Sequence, residues 1–335
     1  MSFIRVESLT KEFRQPIRTQ GVLTGIKALF APQYSIIRAV DHLTFHIERG
    51  ELVGYIGRNG AGKSTTIKIL AGLLVPTSGV VEVGGIVPWR DRARNARQIG
   101  VVWGQRSQLW WDLPLIDSLS LVARMYGLDR ARAKRNLERF VALLDLDAFI
   151  ETPVRQLSLG QRMRGDIVAS MLYEPSILYL DEPTVGLDVL ARGRIREFIQ
   201  QVNRDTGTTV ILTTHDLADV ERLCNRIILV DDGRVLYDGS VGALKRRYAP
   251  YRTLVVRLGN AGDLITSDHE ITVTRRDGDS VWLRFDPART AISELIAGVT
   301  SRNLVSDLSI EEPELEDVVR QIYLGGAALL DHRKS

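Results

Sequence analysis

Two stretches near the N-terminus alternate apolar and polar positions: Phe3-Ile4-Arg5-Val6-Glu7, then Val40, Leu43, Phe45 and Ile47. A period of two predicts half-buried strands. Between them Gln15 to Ile37 interrupts the pattern. Within it Val22, Leu23, Ile26, Leu29 and Phe30 recur at helical spacing between Gly21 and Pro32, which predicts a short amphipathic helix with Lys27 and Arg18 nearby. Such a helix packs on its own domain or meets a membrane surface or membrane partner, and both readings stay open. Further on the pattern changes character. Leu52–Ile56, Ile177–Leu180 and Val210–Leu212 are continuous apolar runs, as strands of a parallel sheet covered on both faces require. Val80–Val83 and Ile99–Trp103 predict further strands, and Arg226–Val230 with Val235–Tyr237 a hairpin. From Leu115 to Leu172 the apolar residues fall at three-and-four spacing, for example Leu137, Phe140, Val141 and Leu144. That marks a helical subdomain, about 106–173, inserted into an α/β core. After Tyr248–Tyr251 come predicted strands at Thr253–Leu258, Ile271–Arg275 and Val281–Phe285 and helices at Arg289–Ala297 and Glu314–Tyr323. The expected division is therefore a domain over 1–248 and a small α+β domain over 249–335.

Composition narrows the class. The 335 residues carry a net charge of only +3 and 44% hydrophobic content, which is ordinary for globular protein and gives no case for nucleic acid as a partner. No apolar run approaches the roughly 20 residues of a spanning helix, and the first residues do not read as a signal peptide, so the expected place is the cytosol. The single cysteine, Cys224, lies in the apolar helical context Val220–Cys224 and reads as buried filler rather than a reactive thiol.

The chemistry is concentrated between the first two apolar runs. Gly57-Arg58-Asn59-Gly60-Ala61-Gly62-Lys63-Ser64 fits G-x-x-x-x-G-K-[ST] and sits between the strand Leu52–Ile56 and a helical run from Thr65 to Leu74. Glycines let successive backbone N–H groups curl around a phosphate, and the helix that follows points its positive end at the anion. Lys63 then reaches the phosphates and Ser64 offers a hydroxyl to Mg²⁺. The run Ile177–Leu180 ends in Asp181 and Glu182, and Val210–Thr214 ends in His215. Ligands of open parallel sheets bind beyond the strand C-termini, so these three residues are expected near the phosphate loop. Asp181 suits orientation of Mg²⁺, and Glu182 suits the general base on an attacking water.

Taken in order, these motifs resemble the ATP-binding cassette family. Leu157-Ser158-Leu159-Gly160-Gln161 resembles its signature, Gln105 its Q-loop glutamine, Val185-Gly186-Leu187-Asp188 its D-loop and His215 its switch histidine, from about residue 3 to residue 240. The resemblance implies an α/β P-loop NTPase with antiparallel N-terminal strands and an inserted helical subdomain. It also implies two copies packed head to tail. ATP then lies on Phe13, Asn59, Gly60, Gly62, Lys63, Ser64 and Thr65 of one subunit and meets Ser158, Gly160, Gln161 and Asp188 of the other. Ser64, Gln105 and Asp181 would serve Mg²⁺, and Glu182, His215 and Gln105 the hydrolysis. Ser158 itself stands where a helix running to Tyr173 should begin, so its hydroxyl and the free N–H groups of that helix can face a γ-phosphate. Leu159 replaces the usual second signature glycine; a first-turn helical residue needs no positive φ, so the backbone donors are expected to survive. The adenine-stacking aromatic matches Phe13, with Tyr34 the lesser candidate because the interruption separates the strands.

Within the family, the N-terminal interruption, Gly104–Trp111 and Glu312–Val318 look like ATPase subunits of bacterial ABC-2-type exporters. That branch implies separate membrane permeases as partners, a second ATPase subunit in a homodimer or heterodimer, and attachment to the inner face of the cell membrane through the permeases. Trp110 and Trp111 stand where partner contact is expected or serve as a structural pair. The alternative, a soluble ATP-driven clamp on ribosomes or nucleic acid, lacks its expected marks, a second cassette or a long coiled coil.

Overall fold

The computed structural model of the protein describes residues 2–16, 34–104, 106–259 and 271–325. The helix expected over Val22–Phe30, and Gln105, lie outside the described residues. The chain divides into two compact units, Met1–Asp238 and Gly239–Ser335.

Unit 1 opens with β1 (Ile4–Pro16) and β2 (Tyr34–Ile47), an antiparallel ribbon paired from Ile4↔Ile47 to Pro16↔Tyr34, with register shifts between Val6 and Glu12. This corrects the expected interruption at both ends, because Gln15, Pro16 and Tyr34–Ile37 are paired strand. Cross-strand backbone bonds carry the ribbon past the point where the apolar alternation fades and β2 becomes exposed. After β3 (Leu52–Gly57) and α1 (Lys63–Leu70) comes β4 (Ser78–Val83), which pairs with β1 and completes a three-stranded antiparallel sheet. A helix that the apolar pattern does not reveal, α2 (Arg92–Gln98), follows; it buries only Asn95 and starts from the Asp91 side-chain cap. Then come β5 (Ile99–Trp103) and the helical insertion, α3 (Leu115–Met125), α4 (Arg130–Leu144) and α5 (Leu159–Met171). The unit closes with β6 (Ile177–Asp181), α6 (Val189–Thr206), β7 (Thr209–Thr213), α7 (Leu217–Leu223), β8 (Arg226–Asp231) and β9 (Arg234–Ser240).

Six strands form the main sheet in the order β5-β6-β7-β3-β8-β9, and β5, β6, β7, β3 and β8 run parallel. Ile177–Leu180, Thr209–Thr213 and Ile227–Val230 are buried along their length, as expected of parallel strands covered on both faces. The register decides where function can sit. Trp103 pairs with Asp181, Asp181 with Thr213, and Tyr55 with Thr213, so the C-terminal ends of β5, β6, β7 and β3 share one edge. A continuous apolar core, including Ile4, Val6, Phe45, Ile67, Val81 and Tyr179, joins the two sheets through α1. Phe198 of α6 meets Phe140 of α4 edge to face at 5.9 Å, which ties the helical insertion to the sheet layer.

Unit 2 contains α8 (Val241–Tyr248), β10 (Arg252–Leu258), β11 (Thr272–Asp277), β12 (Ser280–Phe285), α9 (Ile292–Arg302), β13 (Val305–Glu311) and α10 (Leu315–Gly325). Its sheet is antiparallel, in the order β11-β12-β10-β13. The fourth strand, β13, goes beyond the three that the sequence pattern predicts. It is a polar edge, exposed at Ser306, Asp307, Ser309 and Glu311, so little apolar alternation marks it. Leu254, Val256, Leu283 and Phe285 from the two central strands form the core beneath α9. Among the described residues no helix is long and apolar enough to cross a membrane.

Because Leu254 is fully buried in this core, Leu254→Ala is expected to cost about 2–5 kcal/mol. Urea unfolding should show it as a lowered transition midpoint.

Candidate functional site

The site grows from the turn between β3 and α1. Gly62, the residue before the helix, has φ +93°, and a Cβ there would lie 2.3 Å from the Ala39 carbonyl oxygen of β2. Only glycine fits a loop held that close to a neighbouring strand. Gly60 also has positive φ, and Asn59 lines the cleft above. Lys63 is the first residue of α1, buried, and its ammonium donates to the carbonyls of Gly57 at 2.7 Å and Arg58 at 3.0 Å. Burial pulls its pKa below the ordinary lysine range, opposed by the charges of Glu182 and Asp181. Thr65 is half-buried in the first turn of the same helix.

The shared strand edge brings the acids to this loop. Ser64 Oγ donates to Asp181 at 3.1 Å, and Thr213 Oγ1 donates to the same carboxylate from the neighbouring strand. At Glu182 the chain leaves the sheet with φ +55°, a sparsely populated conformation for a residue with a side chain. That backbone is held by a 2.8 Å bond from Glu182 N–H to the Thr213 carbonyl. His215 Nδ1 stands 3.3 Å from Glu182 Oε1. An ionised carboxylate only accepts, so the imidazole is the donor in that pair. These groups open onto a cleft of about 670 Å³ between the phosphate loop, Glu182, His215 and the Asp231–Asp232 turn.

Asp181, Glu182 and His215 thus gather at the phosphate loop. Asp231 and Asp232 were read from sequence only as a hairpin turn. Their place on the cleft follows from β8 lying beside β3, with Gly57 paired to Val230. Thr213 was likewise missed, because a hydroxyl ending an apolar strand carries no motif. Gly104 donates to the Asp181 carbonyl at 2.7 Å, which places the segment leaving β5 against the acidic turn.

Ser158 caps α5. Its side chain accepts from Gln161 N–H at 3.2 Å, while the Gln161 side chain accepts from Ser158 N–H at 2.8 Å. That reciprocal cap fixes the helix start, and Leu159 occupies a helical position within it. Gly160 faces α6, where a Cβ would come 3.2 Å from the Ala191 Cβ. Asp188 caps α6 by accepting from Ala191 N–H at 2.8 Å. Arg192 then bridges the Leu187 carbonyl at 3.0 Å and Asp216, beside His215, at 2.9 Å. Deeper down, Asp219 of α7 accepts from Thr184 at 2.6 Å and pairs with Arg196.

Phe13 is partly exposed on β1, opposite Ile37, with the Lys11 ammonium 5.2 Å from its ring centroid. Tyr34 pairs with Pro16, five positions along β2 from Ala39, which touches the loop, whereas Ile37 opposite Phe13 is two positions from it. Cys224 is buried, and desolvation raises its thiol pKa, in keeping with a filler role.

Residues 40–185 match the family model described as ABC transporter. The chain is 32% identical over 222 residues to the ABC transporter ATP-binding protein NatA of Bacillus subtilis, covering 66% of this chain and 90% of that protein. It is 32% identical over 300 residues to the linearmycin resistance ATP-binding protein LnrL of Bacillus subtilis, covering 87% and 95%. To the daunorubicin/doxorubicin resistance ATP-binding protein DrrA of Streptomyces peucetius it is 33% identical over 293 residues, covering 85% and 88%. Among solved structures, an ATP-binding subunit of an ABC transporter matches with a TM-score of 0.61 at 29% identity, covering 74% of this chain and 93% of that one. A dimeric, post-hydrolysis ATP-binding cassette bound to ADP and Pi matches with a TM-score of 0.59 at 25% identity, covering 71% and 98%. A phosphate loop, an acidic turn with its histidine, and a capped signature helix on one such scaffold leave a single conclusion: the chain belongs to the ATP-binding cassette family and is an ATP-binding and ATP-hydrolysing subunit of an ABC transporter.

Proposed function

We propose that this subunit powers export through separate ABC-2-type permeases, as a peripheral protein on the inner face of the cell membrane. The observation that carries this reading is the reach of the similarity to LnrL and DrrA, proteins named for resistance, which extends over 85% or more of the chain. Expulsion of a compound is the route to resistance that an ATP-driven subunit supplies. In this reading residues 1–248 form the nucleotide-binding domain and 249–335 an accessory domain.

Each ATP then lies between the phosphate loop of one copy and Ser158, Gly160, Gln161 and Asp188 of a second copy, in a homodimer. Mg²⁺ fits the donors present: the Ser64 hydroxyl and the Asp181 carboxylate are hard oxygens 3.1 Å apart. This ion prefers a few protein oxygens, with phosphate and water completing its shell. When bound, it would neutralise charge on the phosphates. Gln105 would complete this set by the family pattern. Lys63 binds the β- and γ-phosphates, and the N–H groups from Asn59 to Thr65 cradle them. Phe13, nearer the loop than Tyr34 along the ribbon, stacks on adenine.

Glu182 accepts the proton of the attacking water, and His215 orients that carboxylate through their 3.3 Å contact. Glu182 leaves the sheet at positive φ and its carboxylate meets His215, while that of Asp181 meets Ser64 and Thr213, so one residue serves the metal and the other the water. Phosphoryl transfer needs little covalent help from protein, so positioning of this kind is its main contribution.

Glu182→Gln is expected to bind ATP with near-normal affinity, to lower turnover by about 10²-fold or more, and to accumulate as an ATP-bound dimer in size-exclusion chromatography. Lys63→Ala should bind ATP at least about tenfold more weakly in nucleotide titration. The partner is checked by gentle solubilisation of native membranes and mass spectrometry of what stays bound. A stoichiometric multi-spanning permease supports the export reading, whereas recovery with ribosomes or DNA overturns it.

A further inference from the structure

One buried carboxylate has no part in the chemistry described so far. Asp166 lies two turns into α5, 5% exposed, on the helix that Ser158 caps. Its Oδ1 accepts from Ser107 Oγ at 3.0 Å and from Gln108 N–H at 2.9 Å, and the Gln108 side-chain amide donates back to the Asp166 carbonyl at 3.0 Å. Beside it, Gly165 lets this segment come close, since a Cβ there would lie 2.8 Å from Leu115 Cδ1 and 3.1 Å from Leu109 Cδ1. Burial pushes the Asp166 carboxyl up to about 6, against the hydrogen bonds from Gln108 and Ser107.

The same segment is pinned at its other end. Gly104 donates to the Asp181 carbonyl, and a Cβ on Gly104 would sit 2.7 Å from the Glu182 carbonyl oxygen. Gly104 thus lies against the acidic turn, and Ser107 and Gln108 lie against the side of α5. Asp166 lies eight residues from Ser158, about 12 Å along a rigid helix.

We propose that Asp166 is a positioning residue that couples the Asp181–Glu182 turn of one subunit to the Ser158 end of its α5, and so to the ATP held by the second subunit. This rests on the two-subunit reading of the site. The carboxylate does its work as an acceptor of two hydrogen bonds, without touching nucleotide. A buried acceptor with two donors fixes distance and direction, where an apolar contact would let the segment slide over the helix.

The test uses the full-length chain with Glu182→Gln as parent and sedimentation to measure ATP-driven association. Adding Asp166→Ala is expected to weaken association by about fivefold to a hundredfold, the range of coupling between two sites. Binding of a fluorescent ATP analogue by the single subunit should stay within about twofold. Asp166→Asn should restore association close to the parent, because its amide oxygen accepts both bonds, and Ser107→Ala should fall in between. With Glu182 intact, Asp166→Ala should lower turnover per subunit at low protein concentration and recover toward the parent as protein concentration rises, a dependence that a fixed loss of folded protein would not give. Association of the Asp166→Ala protein equal to the parent overturns the proposal, as does an Asn variant as defective as Ala. Should Asp166→Ala not fold, Ser107→Ala decides the matter, since full association without that hydroxyl also overturns it. A parent that fails to associate with ATP removes the two-subunit reading and the proposal with it, and is distinct from an associating parent with an unimpaired Asp166→Ala derivative.

Discussion

The hydrogen bonds that Ser64 and Thr213 give to Asp181 hold this structure's working edge together. They join the helix after the phosphate loop to the ends of two parallel strands, β6 and β7, with β3 next in the sheet. Parallel pairing fixes that adjacency, since each strand must be covered on both faces and each must end at the same side of the sheet. The charge of Asp181 is therefore presented at one spot, against a hydroxyl and near the Lys63 ammonium. Glu182, one residue on, has to turn away, and its positive φ records that turn. The strain is tolerated because the Thr213 carbonyl and the segment through Thr184 to Asp219 hold the chain on either side.

From this edge, rigid links lead outward. Arg192 connects the loop ending at Leu187 with Asp216, next to His215, so the helix capped by Asp188 and the helix after His215 are braced against one another. Gly104 ties the exit of β5 to the Asp181 carbonyl, and Ser107 and Gln108 tie the following residues to α5. All of these are hydrogen bonds between short, well-packed segments, and such links move as units rather than bending gradually. Unit 2 stands on a separate core, built from the inward faces of β10 and β12 with Leu295 and Val299 of α9.

Much of this was legible in the sequence. The phosphate loop declares itself because close backbone approach to an anion demands glycines at fixed spacing. Continuous apolar runs ending in Asp181 and His215 announced the parallel strands, and the run from Ser158 announced a capped helix. The sequence was silent where polar residues make the structure. α2 buries only Asn95, and β13 is a polar edge strand, so neither carries an apolar signature. The ribbon of β1 and β2 runs on through Gln15–Pro16 and Tyr34–Ile37 because backbone pairing persists where side-chain alternation has ended.

The sequence by itself determined the chemical inventory: where a glycine-rich loop of phosphate-binding pattern stands, which residues carry charge, and which runs must be buried, since these depend on residue type and local period. Only the tertiary structure decided which groups meet. Thr213 reaches Asp181, His215 reaches Glu182, and Asp231–Asp232 border the cleft because strand order and register place distant segments side by side. Asp166 shows the difference most plainly. In sequence it is one acidic residue in a helix; its partners at Ser107 and Gln108 are some sixty positions away, and long-range pairing of that kind leaves no local periodicity to read.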